Sequence, residues 1–178
     1  MDLKSPLPAA AMTGDVDAMT QLLDGGAEVD AKNDDATPLF IACQNGSVDA
    51  ALRMLDKGAD VDRAGAEGLI KGETPRYAVC LLGRIEVAGL LLDNGAEVDR
   101  ARENGETPLF VACQNGRVDA VRLLLDNGAD AIRATKKGKT ALDMAKLWRQ
   151  RAVVALLEEH MDLKFPLHAA AMTGDVDA

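Results

Sequence analysis

Cys43, Cys80 and Cys113 are the side chains here that could hold a metal or take part in redox chemistry. They are an odd count and widely separated, so no disulfide framework is implied. The histidines, His160 and His168, both fall near the carboxy terminus with no Cys or Ser nucleophile nearby. Carboxylates are plentiful but spread over recurring turns, where Asp30, Asp62 and Asp99 most simply serve the turn backbone. No glycine-rich phosphate loop opens a helix after a strand. The expectation is therefore no catalytic, cofactor-binding or metal-binding residues, and no enzyme.

The positions of these residues follow from an internal period. Ala36-Thr37-Pro38-Leu39-Phe40-Ile41-Ala42-Cys43-Gln44-Asn45-Gly46 recurs as Glu106-Thr107-Pro108-Leu109-Phe110-Val111-Ala112-Cys113-Gln114-Asn115-Gly116. A third version opens at Thr74-Pro75, a fourth at Thr140-Ala141 and the earliest at Ser5-Pro6, with steps of 32, 37, 33 and 33 residues. A hydroxyl before a proline predicts a helix start: the oxygen accepts a free amide of the first turn, and the proline needs no donor there. Nine residues on, Gly14, Gly46, Gly83 or Gly116 suits the left-handed turn that ends a short helix. A second helix follows, with apolar residues at helical spacing such as Val118, Val121, Leu124 and Leu125. It stops at Gly26, Gly58, Gly95 or Gly128, and a polar, turn-like finger leads on.

These segments resemble the ankyrin consensus, in which Thr-Pro-Leu-His-x-Ala-Ala and Val-x-x-Leu-Leu helices precede Gly-Ala-Asp-Val-Asn. The resemblance covers residues 4–160. It implies an all-α ankyrin-repeat solenoid of about five helix–turn–helix units with finger loops: 1–31, 32–63, 64–100, 101–133 and 134–160. One such unit cannot bury its apolar face alone, and at least ~3 are needed. All three cysteines fall six residues after their unit's Thr, where the family carries a small buried alanine. Equivalent positions in adjacent units lie ~8–10 Å apart, too far for a disulfide or a shared zinc, so they read as small core residues. Departures stand out. Arg76 replaces a core leucine, Arg149 occupies a turn-glycine position, and the family's histidine after Pro-Leu is absent. Lys136 to Lys146 resembles a carboxy-terminal cap, with charge on the open face. The unit holding Leu22-Leu23 reads as the amino-terminal cap.

Composition agrees. Aromatics are only 3% against 48% hydrophobic residues, which suits many small repeated contacts better than one large cluster. A net charge of −9 argues against nucleic acid as a partner. No apolar stretch approaches the ~18 residues of a membrane span. Met1-Asp2-Leu3-Lys4 and the prolines after it do not read as a secretory signal. The expected compartment is the cytoplasm. Charge is nonetheless uneven: residues 131–151 carry seven basic side chains and one acid, Asp143. A solvated cap and a contact with an acidic partner both fit this.

The resemblance implies that a partner protein binds on the fingertips and the exposed side of the first helices. The pairs before each turn are Met12-Thr13, Gln44-Asn45, Leu81-Leu82, Gln114-Asn115 and Leu147-Trp148. Leu81-Leu82 lies in the unit with a four-residue finger insertion, whose Leu69 and Ile70 are bracketed by glycines. Those two residues either meet a partner or fold back over Leu81-Leu82. Trp148, the only tryptophan, is either a binding hot spot or part of the cap. The candidate partner-binding set is Leu69, Ile70, Tyr77, Leu81, Leu82, Gln114, Asn115, Leu147 and Trp148.

Residues 161–178 repeat residues 1–18 with two changes, Ser5 to Phe165 and Pro8 to His168. That half-unit is either a tail or the start of a second module, or it docks in cis or into another molecule. The leading expectation is a protein-interaction scaffold; the alternative is a self-assembling structural protein linked through this terminus.

Overall fold

A computed structural model describes residues 6–32, 36–65 and 72–164. Ser5, Leu69, Ile70, Phe165 and His168 lie outside them. The described residues form ten helices and no strand. The first helices of the pairs are α1 (Pro6–Thr13), α3 (Pro38–Asn45), α5 (Pro75–Leu82), α7 (Pro108–Gln114) and α9 (Ala141–Leu147). The second are α2 (Val16–Asp24), α4 (Val48–Asp56), α6 (Ile85–Asp93), α8 (Val118–Asp126) and α10 (Arg151–Lys164). Each first helix packs on the next first helix and each second on the next second, giving two parallel rows.

The helix starts follow from the hydroxyls. Thr37, Thr74, Thr107 and Thr140 accept the amides of Phe40, Tyr77, Phe110 and Asp143 at 3.1–3.2 Å. Asp143 returns the favour by accepting the Thr140 amide at 2.8 Å, which closes a capping box. Those bonds from Thr140 hold the Asp143 carboxyl below its usual range. The second helices α4, α6 and α8 lack a side-chain cap, but Asp49, Glu86 and Asp119 put an acid in their first turns, where the helix dipole favours negative charge.

Leu7, Leu39 and Leu109 of the first helices are fully buried, as are Ala42, Cys43, Cys80, Ala112 and Cys113. In the second row Met54, Leu91, Leu124 and Leu157 hold one equivalent position and are all buried. Arg76 occupies the leucine position of its pair and is 1% exposed. One guanidinium nitrogen, Nη2, donates to the Ala96 carbonyl, while Nε and Nη1 have no partner. Burial lowers its pKa, and the nearby charges of Asp62 and Asp99 oppose that.

The turn carboxylates do more than serve their own turns. Asp30, Asp62 and Asp99 accept the backbone amides of Asp60, Glu97 and Asp130 at 3.3, 2.8 and 3.0 Å, each in the following finger. The sequence places them correctly at turns but not across the gap between fingers, which only stacking closes. The finger insertion is visible at its base. Gly65 donates to the Glu73 carbonyl at 2.9 Å, across eight residues. The matching bonds, Arg102 to Glu106 and Thr135 to Lys139, span four residues at 2.9 Å.

The carboxy-terminal pair is a cap. Lys146 stands where α7 buries Cys113, and Glu158 where α8 buries Leu125; their charges pair at 2.9 Å on the open face. α10 runs unbroken into Met161-Asp162-Leu163-Lys164, with Met161 buried, so helix fills the place of a finger. At the turn between α9 and α10, Arg149 has φ +56°, the only non-glycine residue with positive φ among the described residues.

Two stability predictions follow from these misfits. Arg76→Leu is expected to melt at or above the wild-type temperature, since an apolar side chain of similar volume often matches a buried charge. Arg76→Ala, which leaves a cavity, is expected to lose about 2–4 kcal/mol. A lower melting point for Arg76→Leu would mean that attraction to Asp62 and Asp99 outweighs burial. Arg149→Gly removes a left-handed strain of about 1 kcal/mol and should raise Tm by about 2–4 °C in calorimetry.

Candidate partner-binding surface

The turns that join the helices of each pair form one continuous ridge, because side chains reach back from pair to pair. Asn45 Nδ2 donates to the carbonyls of Ala11 and Met12 at 3.3 and 3.2 Å. Arg117 Nε donates to the Leu81 carbonyl at 3.1 Å, and Gln150 Nε2 to that of Gln114 at 3.2 Å. These bonds satisfy carbonyls near the ends of α1, α5 and α7 that the helices leave open. The turns beneath them have left-handed φ of +72°, +75° and +66° at Gly46, Gly83 and Gly116, which favours glycine, and side chains of the next pair lie close over them. A Cβ on Gly46 would lie 2.8 Å from Arg84 Cδ, and one on Gly83 3.1 Å from Arg117 Cδ. Gly116 is covered in the same way by the Gln150 amide. Arg84, Arg117 and Gln150 are not evident as ridge residues from local sequence; their signal is the position one after each turn glycine or its Arg149 equivalent.

The ridge exposes large apolar side chains. Met12 is 62% exposed, Leu82 39%, Leu147 70% and Trp148 56%. Leu81 and Gln114 are half-buried beside them, and Asn115 is exposed with its amide donating to the Val111 carbonyl at 2.9 Å. Trp148 is thus on the surface and not enclosed in the cap. After the mixed pair Met12-Thr13, the Gln-Asn pairs of the second and fourth turns alternate with Leu81-Leu82 and Leu147-Trp148.

Tyr77 differs from the other described members of the set. It is 4% exposed, and its hydroxyl donates to Glu106 Oε2 at 3.2 Å. Arg102 lies over its ring, 5.3 Å from the centroid, and pairs with Glu73 at 3.5 Å and Glu106 at 3.7 Å. Burial pushes the phenol up to about 12 and also raises the Glu73 carboxyl, which Arg102 opposes. Tyr77 therefore braces the base of the inserted finger and presents almost no surface of its own. Beyond it, the next two fingers flank an open cleft of about 510 Å³, lined with Glu97, Arg100, Glu103, Arg133 and Lys136. The sites named at Leu69 and Ile70 lie outside the described residues.

The thiols point to no chemistry. Cys43, Cys80 and Cys113 are free and fully buried. Burial pushes the Cys80 and Cys113 thiols up to about 12 and Cys43 higher still. At neutral pH they are protonated, which suits a small core residue and not a nucleophile. Among the described residues no group of three or more Cys, His, Asp or Glu side chains is placed to hold a metal. No helix among them is long and apolar enough to cross a membrane.

A two-row stack of short antiparallel helix pairs, joined by fingers on one side and tight turns on the other, defines a helical repeat solenoid. The family model for ankyrin repeats (3 copies) matches residues 2–65 and 76–164, and the chain belongs to the ankyrin-repeat family. A search of the curated proteins gives no match. Ankyrin repeats are generally protein–protein interaction modules, and the family is typically a non-enzymatic scaffold.

The buried thiols yield a direct check. At pH 8 the native protein should react with iodoacetamide at least ~100-fold more slowly than the unfolded chain, because burial suppresses both access and the thiolate. Replacing all three cysteines by alanine should leave the fold intact. Rapid labelling of the native protein would place a thiol at the surface.

Proposed function

We propose that the chain is an interaction scaffold that binds a partner protein along its fingertips and the exposed side of its first helices. The observation that carries this reading is the exposure of Leu82, Leu147 and Trp148 on a ridge whose backbone is fixed by inter-pair hydrogen bonds. Isolated exposed apolar residues are ordinary, but bulky ones on a pre-formed, polar-rimmed surface mark binding sites. Leu81, Gln114 and Asn115 flank these anchors, and Tyr77 acts indirectly by fixing Arg102 and Glu106. Leu69 and Ile70, in the insertion, complete the proposed contact set. Three free thiols suit a reducing compartment, the cytoplasm.

A second reading, self-assembly, is supported by the near-identity of residues 161–178 to residues 1–18. Light scattering separates the two. A chain ending at Lys164 should match the full chain in mass per particle if assembly does not use the copy, and the full chain should grow with concentration if it does.

The scaffold reading is tested on a partner captured from the native source. Leu82→Ser with Trp148→Ala should weaken capture at least ~10-fold, since apolar anchors at an interface typically cost 1–2 kcal/mol or more each. Ser at Leu69 and Ile70 should do the same without lowering Tm. A large fall in Tm with unchanged capture would assign Leu69 and Ile70 to internal packing instead.

A further inference from the structure

The ridge of turns carries charge as well as apolar surface, and basic side chains (Arg84, Arg117, Lys146, Arg149 and Arg151) outnumber acidic ones (Glu86, Asp119 and Glu158) from the third turn to the fifth. Arg84 and Arg117 follow the glycines of the third and fourth turns, and Arg149 and Arg151 belong to the fifth. All four are exposed. Each has an acidic neighbour. Glu86 and Asp119, in the first turns of α6 and α8 where the helix dipole favours them, line the same clefts as Arg84 and Arg117. Glu158 pairs with Lys146 at 2.9 Å and lines one surface pocket with Arg149 and Arg151. At the fifth turn Lys146, Arg149 and Arg151 stand against Glu158, so this end of the ridge is net positive in an otherwise acidic chain.

The arginines are held in place before any partner arrives. The stem of Arg84 lies over Gly46 and that of Arg117 over Gly83, and Arg117 Nε is anchored on the Leu81 carbonyl at 3.1 Å. That leaves the two terminal nitrogens of a fork suited to carboxylates. Arg149 keeps a left-handed backbone at a position where the other four turns have glycine. Leu82 stands at one end of this strip, and Leu147 with Trp148 at the other.

We infer that the ridge from Leu82 to Trp148 docks an extended acidic segment of the partner protein, with bulky apolar side chains seated on Leu82 and on Leu147-Trp148 and carboxylates between them on Arg84 and Arg117. This rests on the scaffold reading and gives the partner its chemistry. Two steps between adjacent helix pairs separate the apolar ends, ~16–20 Å at a helix-packing spacing. An extended chain covers that in ~5–6 residues. The segment therefore carries two large apolar side chains about six positions apart with Asp or Glu between them. Complementary charge sets register and encounter rate, and the apolar ends supply the anchors.

Trp148 is the only tryptophan, so its fluorescence reports on this site alone. The probe is a synthetic peptide in which two phenylalanines bracket five glutamates, titrated into the full chain at about 50 mM salt, where screening is weak. The expected result is a saturable blue shift of Trp148 emission, with affinity falling at least ~10-fold by about 300 mM salt. The lysine counterpart of the peptide should give no shift. Arg84→Glu with Arg117→Glu should lose the acidic peptide by ~10-fold or more and gain the lysine peptide. Circular dichroism melting establishes that this variant is folded. Arg84→Gln with Arg117 intact provides a milder variant should the double reversal fail to fold.

Equal response to acidic and basic peptides, or a charge reversal that leaves the acidic peptide unaffected, overturns the inference. So does the absence of any shift with the wild-type chain. The two levels fail differently. If a captured native partner ignores the ridge substitutions and is not displaced by the acidic peptide, the docking strip is wrong and the scaffold stands. If no variant of the ridge or fingers alters any capture, the scaffold reading itself falls.

Discussion

A pair of short helices has an apolar side that it cannot cover by itself, and every other feature of this protein depends on the neighbour that covers it. Helices of seven to nine residues are too short to persist alone in water. They persist here because Leu39, Met54, Leu91, Leu109 and Leu124 are buried between successive pairs. The same dependence makes the ends of the array special. At the carboxy-terminal end, Lys146 and Glu158 replace buried Cys and Leu positions, and their ion pair keeps the open face wet. α10 then continues through Lys164 in place of a finger.

Two sets of polar bonds fix how one pair sits on the next. On the finger side, Asp30, Asp62 and Asp99 each receive an amide from the following finger. On the turn side, Asn45, Arg117 and Gln150 return to carbonyls of the preceding pair. Apolar burial is non-directional and would tolerate sliding; these directional bonds set the register at both edges. Each pair is thereby held in register along both edges of the array. Tyr77 shows the same economy of function, since its buried ring supports Arg102 and its hydroxyl holds Glu106.

In a linear stack, each pair is stabilised mainly by its two neighbours, so exposed positions can change from pair to pair with little effect on folding. That freedom lets Leu82, Leu147 and Trp148 stand on the surface beside Arg84 and Arg117 without disturbing the core. Departures inside the stack are of another kind. Arg76 lies in a leucine position with two unpartnered donors, and Arg149 holds a strained φ. Nothing in the described residues explains why Arg76 is retained.

The sequence by itself determined the family, the helix starts and ends, the burial of the cysteines and the finger insertion. Each of these is local: a hydroxyl before proline caps a helix, a glycine ends one, and a fixed offset within a repeat decides burial. Of the pairs before each turn that the sequence marks as exposed, Met12-Thr13 and Leu147-Trp148 are exposed in full, whereas Gln44, Leu81 and Gln114 are half-buried beside exposed partners. Only the tertiary structure decided which polar groups cross between pairs. The Asp-to-amide bonds reach ~30 residues away, and their geometry arises when two fingers come side by side. The inward position of Tyr77 was likewise hidden, because Arg102 and Glu106 belong to the next repeat and meet it only in the stack. The ridge of arginines emerged for the same reason: residues 84 and 117 are far apart in the chain, and stacking the turns makes them neighbours along one edge.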